Sequence, residues 1–214
     1  MINWDNVDQD YKIFEDPIHG YIKINSNALQ FIDTRQFQRL RYLKQLGTLS
    51  YIFHSANHTR FEHSIGVGYL SGNLLLNLKK EQPELEITNK YINIVQLSGF
   101  LHDIGHGPFS HIFDSEFIPL IYPNSNYKHE QMSNQMIEYL IDDNFIDIEQ
   151  SDINLIKNII DGPKNINNRL NNNNYLYEIV ANSTNCIDVD KFDYLSRDMY
   201  YLFGSEKSYN FNRI

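Results

Sequence analysis

The stretch GFLHDIGHGPFSH, residues 99–111, concentrates side chains that could carry chemistry. His102 and Asp103 follow an apolar run directly, and His106 and His111 come after it in a glycine-containing segment. Imidazole nitrogens and carboxylate oxygens together are ligands for divalent transition metals. The stretch therefore leaves two interpretations open: histidines held by hydrogen bonds after a core helix, or one part of a metal site.

A metal site in this stretch needs ligands from other helices. Neighbouring residues on a helix project about 100° apart, so His102 and Asp103 can reach one ion only from adjacent faces of a helix end. His63, near the start of another predicted helix, and Asp190, near the start of the last one, are the candidates to complete the set. Two imidazoles and two carboxylates suit Fe, Mn, Zn, Ni or Co, and leave positions for water and a phosphate oxygen.

The hydrophobic pattern predicts a mainly α fold. Thr34 and Thr88 are plausible N-caps, and Gly47 and Gly105 are plausible stops. The predicted helices cover residues 33–47, 61–80, 88–105, 129–141, 151–163 and 188–203. Alternating apolar and polar residues at about 11–25 predict a small N-terminal β-hairpin. The Asn-rich segment 163–174 predicts a polar surface loop.

Composition sets the broad class. The 214 residues suit one domain, 1–214, and 42% hydrophobic residues supply a sizeable core. Neither a run of eighteen apolar residues nor a basic-apolar leader is present, so we expect an intracellular, soluble protein of the cytoplasm or nucleus, without membrane contact. The single cysteine, Cys186, agrees with a reducing compartment. A net charge of −9 argues against a protein that coats nucleic acid.

One local segment is basic despite the acidic whole. RQFQRLRYLK, residues 35–44, carries Arg35, Arg39, Arg41 and Lys44 without an acidic residue. A solvated helix face is the favoured interpretation, and a phosphate-handling patch is the alternative.

The order His63, His102-Asp103, Asp190 resembles the H…HD…D pattern of HD-domain phosphohydrolases. The blocks DPIHGYIKI, IDTRQFQRLRYLKQLG, NHTRFEHSIGVGYL, GFLHDIGHGPFSHIFD, HEQMS and YEIVANSTNCIDVDKFDYLSRD resemble the catalytic core of the dNTP triphosphohydrolases that pair a SAM with an HD domain. The likeness runs from about Tyr11 to the last residues. It implies an HD-domain helical fold, and we expect this chain to lack both the SAM domain and the family's C-terminal lobe.

The resemblance implies a role for each matching residue. The implied metal ligands are His63, His102, Asp103 and Asp190. The implied catalytic residues around the scissile phosphate are His106, His129, Arg60, His111 and Asp114. The implied substrate contacts are Gln45, Leu46, Arg60, Lys191, Tyr194 and Asp198. Spacing agrees in one place: Asp190, Tyr194 and Asp198 stand at i, i+4 and i+8, on one helix face.

Other polar residues receive a structural interpretation. Asp193 and Arg197 would lie on the remaining faces of the same helix as Asp190. His19, His54 and His58 are interpreted as structural or surface residues.

The resemblance also implies a regulatory site between subunits of a homo-oligomer, which takes GTP or a dNTP as activator. The matching residues are Lys12, Asp33, Gln38, Arg41 and Arg213. Glu15 stands where the family pattern has Asn, and Tyr21 where it has His. A carboxylate at position 15 is expected to repel phosphates.

The function implied is metal-dependent hydrolysis of a deoxynucleoside triphosphate to deoxynucleoside and triphosphate. The implied cofactor is a divalent transition metal (Fe, Mn, Zn or Ni), with Mg on the substrate phosphates. Two alternatives stay open. The first is an HD phosphatase or phosphodiesterase acting on a smaller nucleotide, because a short chain leaves the pocket more open. The second is a non-catalytic, metal-holding nucleotide sensor.

Overall fold

Two strands precede a series of helices in the computed structural model, which describes residues 1–4, 10–162 and 174–204. The strands are β1 (Tyr11–Asp16) and β2 (Gly20–Asn25). The helices are α1 (Ser26–Ile32), α2 (Arg35–Gln38), α3 (Arg60–Glu81), α4 (Asn89–Leu101), α5 (Ile118–Ile121), α6 (His129–Asp143), α7 (Gln150–Asp161) and α8 (Val189–Phe203). This architecture confirms the predicted fold class, mainly α with a small N-terminal hairpin.

The hairpin β1–β2 is antiparallel and lies on the helices through one face only. Ile22 and Ile24 are buried on that face, as the two-residue period of a strand requires. Glu15 and Tyr21, the two departures from the family pattern, are directly opposite each other in the register and exposed. The two departures from the family pattern are therefore neighbours on the exposed face of the hairpin.

Helix α4 runs through the core. Ile94, Val95, Leu97 and Phe100 are almost completely buried, because α3 packs along one side of α4 and α7 along another. A helix covered on several sides is apolar around most of its circumference. The C-terminal end of α4 leads directly to His102, so the core fixes where the polar segment begins.

A capping box fixes the start of α3. The Thr59 side-chain oxygen accepts from the Phe61 N–H, and the Glu62 carboxylate accepts from the Thr59 N–H at 2.9 Å. Arg60 is therefore the first residue of the helix, and His63 lies on its first turn.

Helices α3 and α8 approach each other closely at Gly66. A Cβ on Gly66 would lie 1.9 Å from Asp193 Oδ1. Asp193 is fully buried and accepts two hydrogen bonds of 2.9 Å from Arg197. The Arg197 Nη1 also donates to Asp16 Oδ2 at 2.8 Å, and so ties α8 to the end of β1.

The helix predicted over residues 33–47 is wrong beyond Gln38. α2 ends there, a 3₁₀ turn follows to Tyr42, and Leu43 is extended. The reason is a long-range backbone interaction: Lys44 forms an antiparallel bridge with Thr59, and the Arg60 N–H donates to the Leu43 carbonyl at 2.8 Å. The extended segment brings the chain back to the start of α3.

Two sequence predictions concern residues outside the described ranges: Arg213, and all of the Asn-rich segment except Asn174, where a 3₁₀ turn begins. Among the helices of the described part of the chain, none is both long and apolar enough to span a membrane.

We predict that Gly66→Ala destabilises the protein and Gly72→Ala does not. At Gly66 the added methyl meets a buried, fully hydrogen-bonded carboxylate, whereas at Gly72 it meets the flexible end of Gln96 at 2.9 Å. Overpacking costs about 1–3 kcal/mol, and alanine in a helix gains up to about 1 kcal/mol over glycine. Urea unfolding measures both free energies, and equal effects of the two substitutions would contradict the close approach at Gly66.

Candidate active site

A cavity of about 410 Å³ lies between the start of α3, the segment after α4, and α8. It is lined by Gln45, Leu46, Arg60, His102, Asp103, His106, His111, His129, Glu130, Ile160, Val180, Ala181, Asp190, Tyr194 and Asp198. The volume is in the range of pockets that bind small ligands. The structure therefore gathers most of the predicted site residues around one space.

Three of the predicted metal ligands, His102, Asp103 and Asp190, line one end of this cavity, and the buried His63 contacts them. His63, His102 and Asp103 each offer a ligand atom, and these atoms lie within 4.8 Å of one another. Asp190 Oδ1 lies 2.9 Å from His63 Nε2 and 3.5 Å from His102 Nε2. Side chains from α3, the end of α4 and α8 thus lie together here, with two imidazoles and two carboxylates.

A buried carboxylate orients His63. Asp193 Oδ2 accepts from His63 Nδ1–H at 2.8 Å, and Asp193 Oδ1 accepts from His19 Nε2–H at 2.6 Å. The Nε2 of His63 is therefore the nitrogen that faces Asp103 and Asp190. Burial alone would lower the pKa of His63, but the hydrogen bonds with Asp190 and Asp193 outweigh it and raise the pKa to about 10. This is the carboxylate–histidine arrangement that orients metal ligands in proteins.

Backbone contacts orient His102. Its Nδ1–H donates to the Gly99 carbonyl at 2.8 Å, and the Ser133 hydroxyl donates to the His102 carbonyl at 2.6 Å. His102 Nε2 is buried and has no hydrogen-bond partner among the described residues. A buried nitrogen without a partner is costly unless a further group satisfies it.

Both carboxylates of this group are held ionised. Burial raises the pKa of Asp103, but the nearby charge of Arg60 and the interactions with His102 and His106 outweigh it and hold the pKa well below its usual range. The nearby rings of His102 and His63 likewise lower the pKa of Asp190 against the effect of burial. An anionic pair of oxygens beside two oriented imidazole nitrogens fits a divalent transition-metal ion. The group can therefore hold such an ion.

A second polar group lies beside the first. His106 stacks on His129 at 4.0 Å between ring centroids, and His111 lies 5.1 Å from His106. The Asp114 carboxylate accepts from His129 Nδ1–H at 2.7 Å. Burial lowers the pKa of His106 to about 4, so its ring is neutral near pH 7.

Gly105 allows the turn after α4 to pack directly against α6, which carries His129 of this second group. A Cβ on Gly105 would lie 2.1 Å from the Ser133 backbone nitrogen and 2.5 Å from the His129 carbonyl. Only glycine lets the turn after α4 approach α6 so closely, and the approach brings His106 over His129.

Arg60 lies between the two groups. It is buried, its Nη1 donates to Asp103 Oδ2, and its Nε donates to the Ser110 hydroxyl at 3.0 Å. Two partners fix the guanidinium in one orientation at the cavity wall.

Polar side chains line the other part of the cavity. Asp198 accepts from His58 Nε2 at 2.7 Å, and His58 stacks on Tyr201 with 4.5 Å between ring centroids. Gln45 Oε1 is buried without a hydrogen-bond partner in the part of the chain that the structure describes. Tyr194 lies between Asp190 and Asp198 on the same face of α8 and lines the cavity with them.

Several predicted residues do not reach the cavity. Lys191 Nζ donates to the Cys186 carbonyl at 2.7 Å, away from the cavity lining. The regulatory candidates within the described ranges lie on the surface and contact each other: Lys12 Nζ lies 2.6 Å from Asp33 Oδ2, and Arg41 Nε donates to Gln38 Oε1 at 2.7 Å.

Sequence reasoning missed four contributors. Asp193, interpreted from the sequence as structural, also orients His63. Its position four residues before Arg197, the spacing of an ion pair on one helix, was the only hint in the sequence that it is buried with a partner. His58 and Ser110 hold Asp198 and Arg60 through long-range contacts that no local pattern encodes. Glu130 lines the cavity beside His129.

Comparison with known proteins identifies the family. The HD domain family matches residues 60–198, which is more than half of the chain. The chain belongs to the HD domain family. It is 46% identical to the deoxynucleoside triphosphate triphosphohydrolase SAMHD1 of Gallus gallus over 95% of its own length and 36% of that protein. The SAMHD1 homolog of Dictyostelium discoideum is 46% identical over 95% of this chain and 38% of its own length.

A viral relative is similar too. The putative HD domain-containing protein L394 of Acanthamoeba polyphaga mimivirus is 38% identical over 96% of this chain and 47% of its own length. The chain thus spans between about a third and a half of these curated relatives. The resemblance inferred from the sequence motifs is confirmed.

We predict that Asp193→Asn weakens metal binding about 10–100-fold, the usual effect of losing a residue that orients a ligating histidine. An asparagine amide has one acceptor oxygen and no charge, so it cannot accept from His63 Nδ1–H and from His19 Nε2–H at once, and its hold on the His63 ring is weakened. The matched control is Asp16→Asn, which also removes a carboxylate from Arg197 but does not contact His63. Titration of the metal-free protein with Mn²⁺, followed by isothermal calorimetry, measures both affinities, and equal weakening by the two variants would show that Asp193 acts only through Arg197.

Proposed function

We propose that this chain carries the active site of a metal-dependent phosphohydrolase that cleaves a deoxynucleoside triphosphate into deoxynucleoside and triphosphate. One observation carries the proposal: a single cavity is lined by His102, Asp103 and Asp190, which contact the buried His63, by the histidines of the second group, and by polar side chains suited to a sugar. The names of the SAMHD1 relatives state the same reaction class for those proteins.

The first group would hold the cofactor, a divalent ion such as Fe, Mn, Zn or Ni, and Mg would accompany the substrate phosphates. When bound, such an ion supplies Lewis acidity and lowers the pKa of a water molecule. The two ligating histidines would keep their present hydrogen bonds in this state. His63 contacts Asp193, and His102 contacts the Gly99 carbonyl, each through Nδ1, which leaves Nε2 for the ion.

Arg60 addresses the charge of the substrate. A triphosphate carries about four negative charges near neutral pH, so a fixed guanidinium at the cavity wall binds and orients it. Lys191 is a proposed second phosphate contact, which requires its Nζ to leave the Cys186 carbonyl.

The second group handles the proton of the leaving group. Cleavage breaks the bond between the α-phosphorus and the 5′-oxygen, and that oxygen must receive a proton. Asp114 accepts from His129 Nδ1–H, so Nε2 is the nitrogen left to donate to the 5′-oxygen. His106, neutral and stacked on His129, positions this ring, and His111 completes the group.

The nucleoside would occupy the remaining lining. Gln45 Oε1 is an unused acceptor for a sugar hydroxyl, and Asp198 is a second acceptor held by His58. Leu46, Ile160 and Val180 provide apolar surface. Tyr194 is the residue that would crowd a 2′-hydroxyl and so favour deoxynucleotides.

Regulation by GTP or a dNTP in a homo-oligomer is the further part of the proposal. Lys12 and Arg41 would bind phosphates, and Asp33 and Gln38 a guanine edge, after exchanging their present partners for the nucleotide. The Glu15–Tyr21 pair adds a negative charge to the same hairpin. Turnover measured with and without GTP tests this part separately from catalysis.

We expect the purified chain, loaded with Mn²⁺ or Fe²⁺, to convert dNTPs to deoxynucleosides and triphosphate. Chromatography of products from a panel of dNTPs, dNMPs and cyclic dinucleotides gives the measurement. Release of pyrophosphate or inorganic phosphate instead would favour the phosphatase or phosphodiesterase. Nucleotide binding without any turnover, despite bound metal, would favour the sensor. Asp190→Ala should remove metal and turnover together.

We predict that His129→Ala lowers kcat about 10²–10⁴-fold, the usual contribution of a general acid. His54→Ala is the matched control, because His54 is exposed and does not line the cavity. Metal content is measured in both variants. A His129→Ala enzyme with full turnover would refute the proposed proton donor.

A further inference from the structure

His58 connects two of the residues that line the part of the cavity proposed for the nucleoside, Gln45 and Asp198. Its carbonyl accepts from the Gln45 N–H at 3.1 Å, within the same backbone pairing that joins Lys44 to Thr59. Its Nε2–H donates to Asp198 Oδ1 at 2.7 Å. A change at His58 therefore reaches both lining residues, although His58 does not line the cavity itself.

The contacts around the His58 ring fix its position. The side chain has no exposed surface, and the ring stacks on Tyr201 with 4.5 Å between the centroids and 13° between the planes. The Ser55 hydroxyl donates to the Tyr201 carbonyl. These contacts fasten the segment before α3 to the C-terminal half of α8, which carries Asp198.

The second ring nitrogen indicates that packing does not explain this histidine. His58 Nδ1 is buried and has no hydrogen-bond partner in the described ranges, which is costly for a polar atom. A phenyl ring could stack on Tyr201 without that cost. The imidazole is therefore explained by the one contact that a phenyl ring cannot make, the hydrogen bond to Asp198.

This hydrogen bond leaves one oxygen of Asp198 for a ligand. Oδ1 is occupied by His58, so Oδ2 is the oxygen that remains, and the carboxylate is partly exposed at the cavity wall. A deoxynucleoside 5′-triphosphate has a single free sugar hydroxyl, on C3′, and a hydroxyl donates one proton. A hydrogen bond to an ionised acceptor is about twice as strong as one between neutral groups. The orientation of Asp198 therefore decides how well this hydroxyl is bound.

We propose that His58 is a positioning residue for sugar recognition, which holds the Asp198 carboxylate in the orientation that accepts from the 3′-hydroxyl of a deoxynucleotide. His58 acts through Asp198 and does not contact the substrate. The proposal rests on the function proposed above, because it takes a deoxynucleoside triphosphate as the ligand.

The test compares a dNTP with the matching 2′,3′-dideoxynucleoside triphosphate, which lacks the hydroxyl. kcat/KM is measured for both nucleotides with the unmodified chain, His58→Phe and His58→Gln. We expect the unmodified chain to prefer the dNTP, and His58→Phe to lose about 10–100-fold of that preference, the usual value of a hydrogen bond to a charged group. His58→Gln, whose amide supplies an N–H donor of similar reach, should restore most of it.

Three controls separate positioning from a structural defect. His54→Phe makes the same change at an exposed residue of the same segment and should keep the full preference. Urea unfolding should find His58→Phe about as stable as the unmodified chain, because the ring stack stays and the unpartnered Nδ1 is gone; His58→Leu replaces it if it does not fold. His58→Phe/Asp198→Ala should show the same preference as Asp198→Ala alone.

A fall of kcat/KM by the same factor for both nucleotides in His58→Phe would overturn the proposal, as would an unmodified chain that does not distinguish them. If the unmodified chain turns over no nucleotide, the proposed function fails. Calorimetric dissociation constants of the same two nucleotides with the Mn²⁺-loaded chain then decide on His58 by the same ratio, and absence of binding would overturn its role too.

Discussion

The buried carboxylate of Asp193 is the constraint on which the site depends. It has no exposed surface and accepts hydrogen bonds from Arg197, His63 and His19. A lone carboxylate in such a place would be strongly unfavourable, so these donors must all be present. The hairpin turn, α3 and α8 are therefore assembled around one anion. Gly66 gives that anion the room it occupies.

Asp103 divides the cavity into two chemically different halves. Its Oδ2 binds Arg60 and lies 3.5 Å from His63 Nε2, and its Oδ1 lies 3.3 Å from both His102 and His106. On one side, carboxylates and imidazoles meet in the manner of a metal site. On the other side, burial keeps His106 neutral beside His129. One anion thus serves both halves, because its two oxygens point to different groups.

The helices with long apolar patterns were predicted from the sequence. The features that depend on contacts between distant residues, such as the end of α2 and the role of Arg39, were not. Residues 61–80, 129–141 and 188–203 lie in α3, α6 and α8, apart from Asp188, the N-cap of α8. The helix over 33–47 was wrong because the bridge between Lys44 and Thr59 overrides a helical pattern. Neither interpretation of the basic run describes Arg39, whose guanidinium donates to the Ile104 and His106 carbonyls and so holds the turn.

The position at which α4 ends decides which group each histidine of the GFLHDIGHGPFSH stretch joins. In a continuous helix His102 and His106 would share one face. α4 stops at Leu101, and the close contact of Gly105 with α6 turns the chain, so His106 joins His111 and His129 while His102 joins His63. Adjacent residues in the sequence therefore supply two groups. A side chain at position 105 would displace α6 and so move His129 away from His106, without changing any of the histidines or carboxylates.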